Sequence, residues 1–428
     1  QAPFGRREPK PLPDGAETEL NVQRVAFITF HACPLAAPGE GKSGGMNVYV
    51  RQLARALGDQ GVHVDIFTRN HSTAVEQIQS ISPNVRVVHL PGGEANAPLE
   101  GLFRYLGPFL KAVEEFQRKN RLTYQVVHSH YWLSGWVGRA MACQQMIPHV
   151  VTFHTMGLIK MQSRAEEMEP LERHQVEREL VGSADRIVAF SANERDAMVR
   201  LYGADASRIA VAPCGVDLSL FRPLDQRQAR EKLGLNGGNV FLYVGRLEPL
   251  KGVELLLHAA AHLETCRPMR VLVVGGDANG DQQVDRLRSL ARSLQMDSVF
   301  DFVGRVDQEE LPLYYNAADV CVVPSYYESF GLAALESMAC GTPVVAARVG
   351  GLSTVVQHGR TGYLKSWRCP EAFASSLEMI ISNARLQHSM GLAARRRAEG
   401  MGWQQVAARL SQEYEMLTEN LWEGDNGG

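Results

Sequence analysis

No apolar run in this chain approaches the roughly 20 residues that a membrane-spanning helix requires. There is no excess of positive charge either. The 428 residues carry 44 Lys and Arg against 47 Asp and Glu, a net charge of −3, which argues against nucleic acid as the main partner. Cysteine is sparse: Cys33, Cys143, Cys214, Cys266, Cys321, Cys340 and Cys369 are scattered, and no two have the close spacing of a metal-ligand pair. Their odd number fits reduced thiols in a cytoplasmic protein, where they serve as small core residues. Residues 1–20 are rich in proline and charge and lack the apolar stretch of a secretory signal. They are expected to form a disordered extension, with residues 423–428 a loose tail.

What the chain does have is apolar residues, 45% of the total, enough for two cores at this length. Short apolar runs alternate with helical patterns. Strands are expected at Val25–Phe30, Val62–Thr68, Val85–Leu90, Val126–His128, Val150–Phe153, Ile187–Phe190 and Val211–Cys214, with helices over Asn47–Gln60 and about Leu102–Lys119. The plan repeats with strands Val240–Val244, Arg270–Val274, Val299–Val303, Val320–Val323 and Val344–Ala346. Such alternation predicts α/β architecture: two Rossmann-like, doubly wound domains facing a cleft. The first spans residues 21–215 and the second 216–402, with a linker at Gly215–Pro223. The last helix, 403–422, carries Val406, Leu410, Tyr414 and Leu417 on one face and is expected to cross back onto the first domain.

Two motifs follow strands of the second half. Glu328 and Glu336, with seven residues between them, bracket Ser329-Phe330-Gly331-Leu332 after the strand ending at Val323. A turn of small residues opening a helix leaves the N–H groups of Phe330, Gly331 and Leu332 free to meet an anion. Glu336, expected two turns into that helix, can accept hydrogen bonds from the paired hydroxyls of a ribose, and Glu328 those of a hexose. Upstream, Val240–Val244 leads into Gly245-Arg246-Leu247-Glu248-Pro249-Leu250-Lys251-Gly252. Arg246 and Lys251 place two cations at the strand edge where open α/β sheets bind ligands, suited to a departing diphosphate. Each motif alone is compatible with a solvated helix face or surface charges. Together they describe a nucleotide-sugar site.

In the first half, Gly44-Gly45 ahead of Asn47 forms either a phosphate-approaching turn or a plain surface turn. His154 follows strand Val150–Phe153 and is either a core histidine or a group that positions the donor sugar. His128 and His130 have strand spacing but no third metal ligand, and read as structural or supporting residues. Arg173 and Glu177 are spaced for an ion pair on one helix. Arg395–Arg397 reads as a solvated helix face.

These residues are shared with a known family. From about Val22 to Trp422 the chain resembles retaining glycosyltransferases of family 4, which have the GT-B fold. The resemblance rests on the Glu328–Glu336 segment, the Gly245–Gly252 loop, and Gly341-Thr342-Pro343-Val344 with Gly350-Gly351. Within the family, Pro38-Gly39, Gly44-Gly45-Met46-Asn47-Val48-Tyr49 and His128-Ser129-His130-Tyr131-Trp132-Leu133-Ser134-Gly135 resemble the subgroup of inositol-phosphate glycosyltransferases and sucrose-phosphate synthases. The resemblance implies that Gly44 and Gly45 approach the donor diphosphate together with Arg246, Lys251 and the Glu328–Leu332 turn. It implies that Asn47, Tyr131, Thr155 and Arg173 face the acceptor, and that His154, Arg246, Lys251 and Glu328 act in catalysis. It also implies a UDP-sugar donor (glucose or N-acetylglucosamine), a small polar acceptor, no metal and no cofactor. One departure stands out. The loop Pro91–Leu99 has no lysine or arginine where the inositol-phosphate enzymes place an acceptor-phosphate lysine. The acceptor then lacks a phosphate or is held differently. Alternatives at this level are polysaccharide or glycolipid assembly, a phosphorylase of the same architecture, and a non-catalytic nucleotide-sugar-binding subunit. A homodimer and peripheral membrane contact both stay open.

Overall fold

The computed structural model describes residues 22–425 apart from 37–43, 71–75, 95–96, 164–167, 236, 264–265, 267, 277–281 and 367–368, and apart from the side chains of 420–425. The expected N-terminal extension, Pro38-Gly39 and the last three residues of the expected tail lie outside the described residues.

The first lobe is built on β1 (Arg24–Ile28), β2 (His63–Arg69), β3 (Ile78–Ser82), β4 (Val85–Leu90), β5 (Val126–His130), β6 (His149–Thr152), β7 (Arg186–Ala189) and β8 (Ile209–Val211). They lie in the order β3-β4-β2-β1-β5-β6-β7-β8, parallel throughout except β3, which runs antiparallel to β4. The second lobe has β9 (Asn239–Val244), β10 (Met269–Val274), β11 (Phe300–Gly304), β12 (Val320–Val323), β13 (Val344–Ala347) and β14 (Gly362–Lys365), ordered β11-β10-β9-β12-β13-β14 and all parallel. Helices cover both faces of each sheet, so the central strands are buried on two sides and read as unbroken apolar runs. β3 and β14 are absent from the sequence expectation. Both are edge strands, β3 with no buried residue and β14 with every second residue buried, and their mixed polarity carries little strand signal.

Each sheet reverses direction at its centre, between β1 and β5 in the first lobe and between β9 and β12 in the second. The crevices at these reversals are the ordinary ligand positions of open α/β sheets. Here the two crevices face each other.

The chain passes between lobes twice, side by side: the Val216 N–H donates to the Met401 carbonyl at 3.0 Å. The packing there is tight, because a Cβ on Gly215 would lie 2.7 Å from the Trp403 ring. The Trp403–Asp425 helix then lies on the first lobe. Tyr414 reaches His128 at 2.6 Å, Glu413 pairs with Arg186 at 3.0 Å, and Gln404 donates to Asp59 at 3.1 Å. A single apolar core runs through this junction, joining Val25, Tyr49 and Leu53 to Leu335, Met338 and Tyr414. No helix among the described residues is long and apolar enough to cross a membrane.

The basic run at Arg395–Arg397 is not a solvated face. Arg395 donates to the carbonyls of Phe221 and Ala339, and Arg397 to those of Val355 and Thr354. Only Arg396 is exposed. Helix periodicity turns two of the three inward, where they satisfy backbone acceptors left open at neighbouring helix and loop ends.

Candidate active site

A cavity of about 920 Å³ separates the lobes, and every candidate residue named from the sequence borders it. This follows from topology: Arg246, Tyr131, His154 and Thr155 come within three residues of the C-terminal end of a strand, and the Glu328 turn and the Gly45 helix start lie in the connections that leave such ends.

The Glu328 turn follows β12. Its carboxylate takes the Lys251 ammonium at 2.7 Å and the Ser325 hydroxyl at 3.4 Å. Lys251 arrives on the short turn Pro249–Lys251 after β9, so the two motifs meet side by side. Gly350 supports the turn from beneath: a Cβ there would stand 1.8 Å from the Glu328 carbonyl oxygen. The helix opens at Leu332, with Gly331 at φ +103° as its cap. Among the described residues, no protein acceptor takes the N–H groups of Phe330, Gly331 and Leu332. Glu336 therefore lies little more than one turn into the helix, not two, because the turn around Gly331 is longer than the sequence suggested. Its carboxylate accepts from Tyr315 at 2.7 Å. Burial pushes its pKa up to about 7, since desolvation disfavours the charged form.

Arg246 stands in the open, its side chain 41% exposed and touching Glu248 at 2.7 Å. Tyr243 donates to the Arg246 carbonyl at 2.6 Å and steadies the loop. Gly245 packs on Gly275, where a Cβ would come within 2.0 Å of the Gly245 carbonyl oxygen. Two glycine loops thus lie backbone to backbone on the cavity floor. Gly275-Gly276, just past β10, carries the same strand-then-glycine signal as Gly245 and was legible on that ground. Tyr315 and Ser325, which hold the two glutamates, carry no comparable signal.

From the other lobe, Gly44 caps the Gly45–Asp59 helix. A Cβ on Gly45 would stand 3.2 Å from Leu332 Cδ1, and one on Gly44 3.8 Å from Arg246 Nε. The first-lobe helix start therefore lies against the second-lobe motifs that carry Arg246 and Leu332. Other bridges are Arg51 to Gln308 at 2.8 Å, the Ser329 hydroxyl to the His154 carbonyl, and Phe190 against Phe330 with centroids 6.1 Å apart.

His154 sits two residues past β6 with φ +61°, a left-handed backbone that is rare for non-glycine residues. Its Nε2 meets His130 Nδ1 at 3.1 Å, and burial lowers its pKa to about 3. His128 bonds Tyr414 and Thr152, a structural pair, and among the described residues no group of three potential ligands could hold a metal.

Arg173 is buried and committed. Nε pairs with Glu177 at 2.7 Å, one terminal nitrogen with Glu169 at 2.8 Å, and the other donates to the Thr155 carbonyl at 2.8 Å. Its guanidinium also lies 5.0 Å from the Tyr131 ring centroid. Burial works against its charge, but Glu177, Tyr131 and Glu169 outweigh it and raise its pKa. The ion pair anticipated from the sequence is therefore present, and it ties Tyr131, Thr155 and Arg173 into one unit. The Asn47 side chain is also engaged, donating to the Cys33 carbonyl at 2.6 Å. In the Pro91–Leu99 loop, Arg69 reaches in from β2 and donates to the Glu94 carbonyl at 2.6 Å.

A floor with exposed cations, open N–H groups and two glutamates can bind an anion flanked by hydroxyls. Comparison with known proteins agrees. Residues 43–220 match the family described as Glycosyltransferase Family 4, and residues 225–397 that described as Glycosyl transferases group 1. The chain is 41% identical to D-inositol 3-phosphate glycosyltransferase 2 of Catenulispora acidiphila over 414 residues, covering 93% of this chain and 96% of that protein. It is also 41% identical to the D-inositol 3-phosphate glycosyltransferase of Kribbella flavida, covering 94% and 97%. Among solved structures, sucrose-phosphate synthase from Thermosynechococcus elongatus superposes with TM-score 0.86 at 36% identity, over 93% of this chain and 100% of that one. Anabaena Alr3699/HepE in complex with UDP and glucose shares the fold, with TM-score 0.73 at 22% identity, over 92% and 100%. With both lobes matched and relatives aligned nearly end to end, the chain belongs to glycosyltransferase family 4 and is an enzyme of GT-B architecture.

Proposed function

We propose that the protein transfers a hexose, glucose or N-acetylglucosamine, from a UDP-sugar to a hydroxyl of a small polar acceptor, with retention at the anomeric carbon. The observation that carries this reading is the Lys251–Glu328 pair beside Arg246, facing Gly44 and Gly45 across the cavity. In this reading Glu336 holds the ribose and Glu328 the hexose. Arg246, Lys251 and the N–H groups of Phe330 to Leu332 take up negative charge on the leaving diphosphate, so no metal or cofactor is needed.

Among the residues bordering the cavity, the candidate carboxylates are already assigned to hydroxyls or ion pairs, which favours a front-face route over a covalent intermediate. The bond from the anomeric carbon to the β-phosphate oxygen breaks. The acceptor oxygen bonds the same carbon from the same face, and its proton passes to that phosphate oxygen. Closure of the lobes keeps water from competing.

For the acceptor, the curated relatives suggest a polyol phosphate and the solved neighbour a sugar phosphate. Among the described residues, the Lys and Arg side chains that line the first-lobe end of the cavity are Lys160 and Arg173, and both are already paired with Glu169. That pairing favours a hydroxyl-rich acceptor gripped mainly by hydrogen bonds. The test is mass spectrometry of products from UDP-glucose and UDP-N-acetylglucosamine, each with inositol, inositol phosphate, fructose and fructose 6-phosphate. A hexosylated product with its anomeric configuration retained, by NMR, is expected. UDP binding without any transfer across a wider acceptor panel would leave a nucleotide-sugar-binding protein instead.

A further inference from the structure

We infer that His130 sets the tautomer of His154, so that His154 presents an N–H, and not a lone pair, to the cavity. This deepens the transfer reading by adding a positioning residue behind the reacting centre.

The two rings meet through His130 Nδ1 and His154 Nε2, 3.1 Å apart. Neither ring carries a charge near neutral pH, because burial lowers both pKa values. Each imidazole therefore has one N–H and one lone pair, and one of the two facing nitrogens must donate to the other. If His154 Nε2 carried the proton, His130 would have to carry its own on Nε2. That atom is buried without a hydrogen-bond partner among the described residues. Around it stand the rings of Phe27, His128 and Tyr49, and among the described residues none of them forms a hydrogen bond with that atom. An orphaned buried N–H is the costlier choice, and an orphaned lone pair is better tolerated. The proton thus sits on His130 Nδ1 and is donated to His154 Nε2. The proton of His154 is left on Nδ1, the nitrogen not engaged by the protein.

The surroundings hold this arrangement in place. His154 keeps a left-handed backbone, its carbonyl is tied to Ser329 of the other lobe, and its ring packs on Tyr49 and Phe190 with centroids 5.1 and 5.5 Å away. A ring fixed this way can donate to a hexose or acceptor oxygen. It cannot take the acceptor's proton, because its lone pair is already used by His130. That leaves the proton to the leaving phosphate, as the front-face route requires.

The test uses the full-length protein labelled with 15N-histidine. Two-bond proton–nitrogen spectra, with His154→Asn for assignment, should show His154 protonated on Nδ1 and bare on Nε2. The Nε2-protonated form in wild type would overturn the inference. His130→Asn keeps an N–H donor where Nδ1 stood, and should hold the tautomer and keep kcat within about threefold. His130→Leu, of similar size but without a donor, removes the bond that fixes the tautomer, so the His154 nitrogen shifts should move away from the pure Nδ1–H form towards a mixture of the two neutral forms. It should also lower kcat about 10- to 100-fold with little change in donor KM. A folded Leu variant with the wild-type tautomer and kcat would equally sink the idea. If Leu does not fold, the wild-type spectrum and the Asn variant still decide. A wild-type protein that transfers no hexose refutes the transfer reading, while the tautomer measurement keeps its meaning.

Discussion

Both lobes bring positive charge to the same cavity, but Arg246 and Lys251 of one and Arg173 of the other hold it in different states. In the second lobe the cations are displayed: Arg246 is 41% exposed and Lys251 22%, each touching a single carboxylate. In the first lobe Arg173 is locked: its side chain is 3% exposed and bound by two carboxylates and a carbonyl. The difference teaches what each lobe contributes. Displayed charge can respond to a ligand whose charge develops during reaction. Locked charge holds other side chains, here Tyr131 and Thr155, at fixed positions.

The sharpest way to break this comparison is to remove one cation from each lobe. Lys251→Ala should cut kcat/KM by about 10²- to 10³-fold, the usual loss for a donor aimed at developing charge, with little change in melting temperature. Arg173→Ala should do the reverse in kind. Stripping Glu177 of its buried partner should cost about 3–5 kcal/mol of stability, read by urea unfolding. If Arg173→Ala is as stable as wild type, or Lys251→Ala turns over normally, the division of labour fails.

The next largest effect concerns Glu336, a buried carboxylate of the second lobe. Its pKa is raised from 4.5 to about 7, so the folded state binds this proton more tightly than the unfolded state does. The stabilisation is full below pH 4.5 and is lost as pH rises to 7. Glu336→Gln should remove on the order of 3 kcal/mol of this pH dependence. Part will remain, because burial also raises buried Glu194 to about 7. Donor KM should fall with rising pH through 7 in wild type, as the carboxylate forms, and stay high and flat in the Gln variant. A wild-type donor KM independent of pH between 6 and 8 would argue that Glu336 does not meet the ribose.

The smallest effect probes where the lobes touch. Gly45→Ala puts a methyl 3.2 Å from the flexible end of Leu332, which can give way. Donor KM should rise by about threefold, below ~1 kcal/mol. Gly45→Val should do more, and equal KM values in all three proteins would show that the gap is wider in solution.

The α/β plan and the convergence of the second-lobe motifs on the cavity were legible in the sequence because their signals are local. Strands buried on both faces are unbroken apolar runs, and a strand followed by glycine and a charged turn states in one window where backbone and ligand can approach. Glu328, Lys251 and Glu336 needed only that spacing. The depth of Glu336 in its helix was misjudged because a glycine cap can lengthen a turn without any change of pattern. The turning inward of Arg395 and Arg397 was missed because residue type is silent about which carbonyls lie open nearby.

By itself, then, the sequence determined two facing sheets and a chemistry of cations, hydroxyl acceptors and open N–H groups at strand ends. Tertiary structure alone decided which groups are free and which are spent. Whether Arg173 meets a substrate or Glu177, and which nitrogen of His154 carries its proton, depends on partners brought together from β5, β6 and the Leu171–Ser183 helix. Such partners meet only when the sheet assembles, and it is desolvation at that point that makes their hydrogen bonds obligatory.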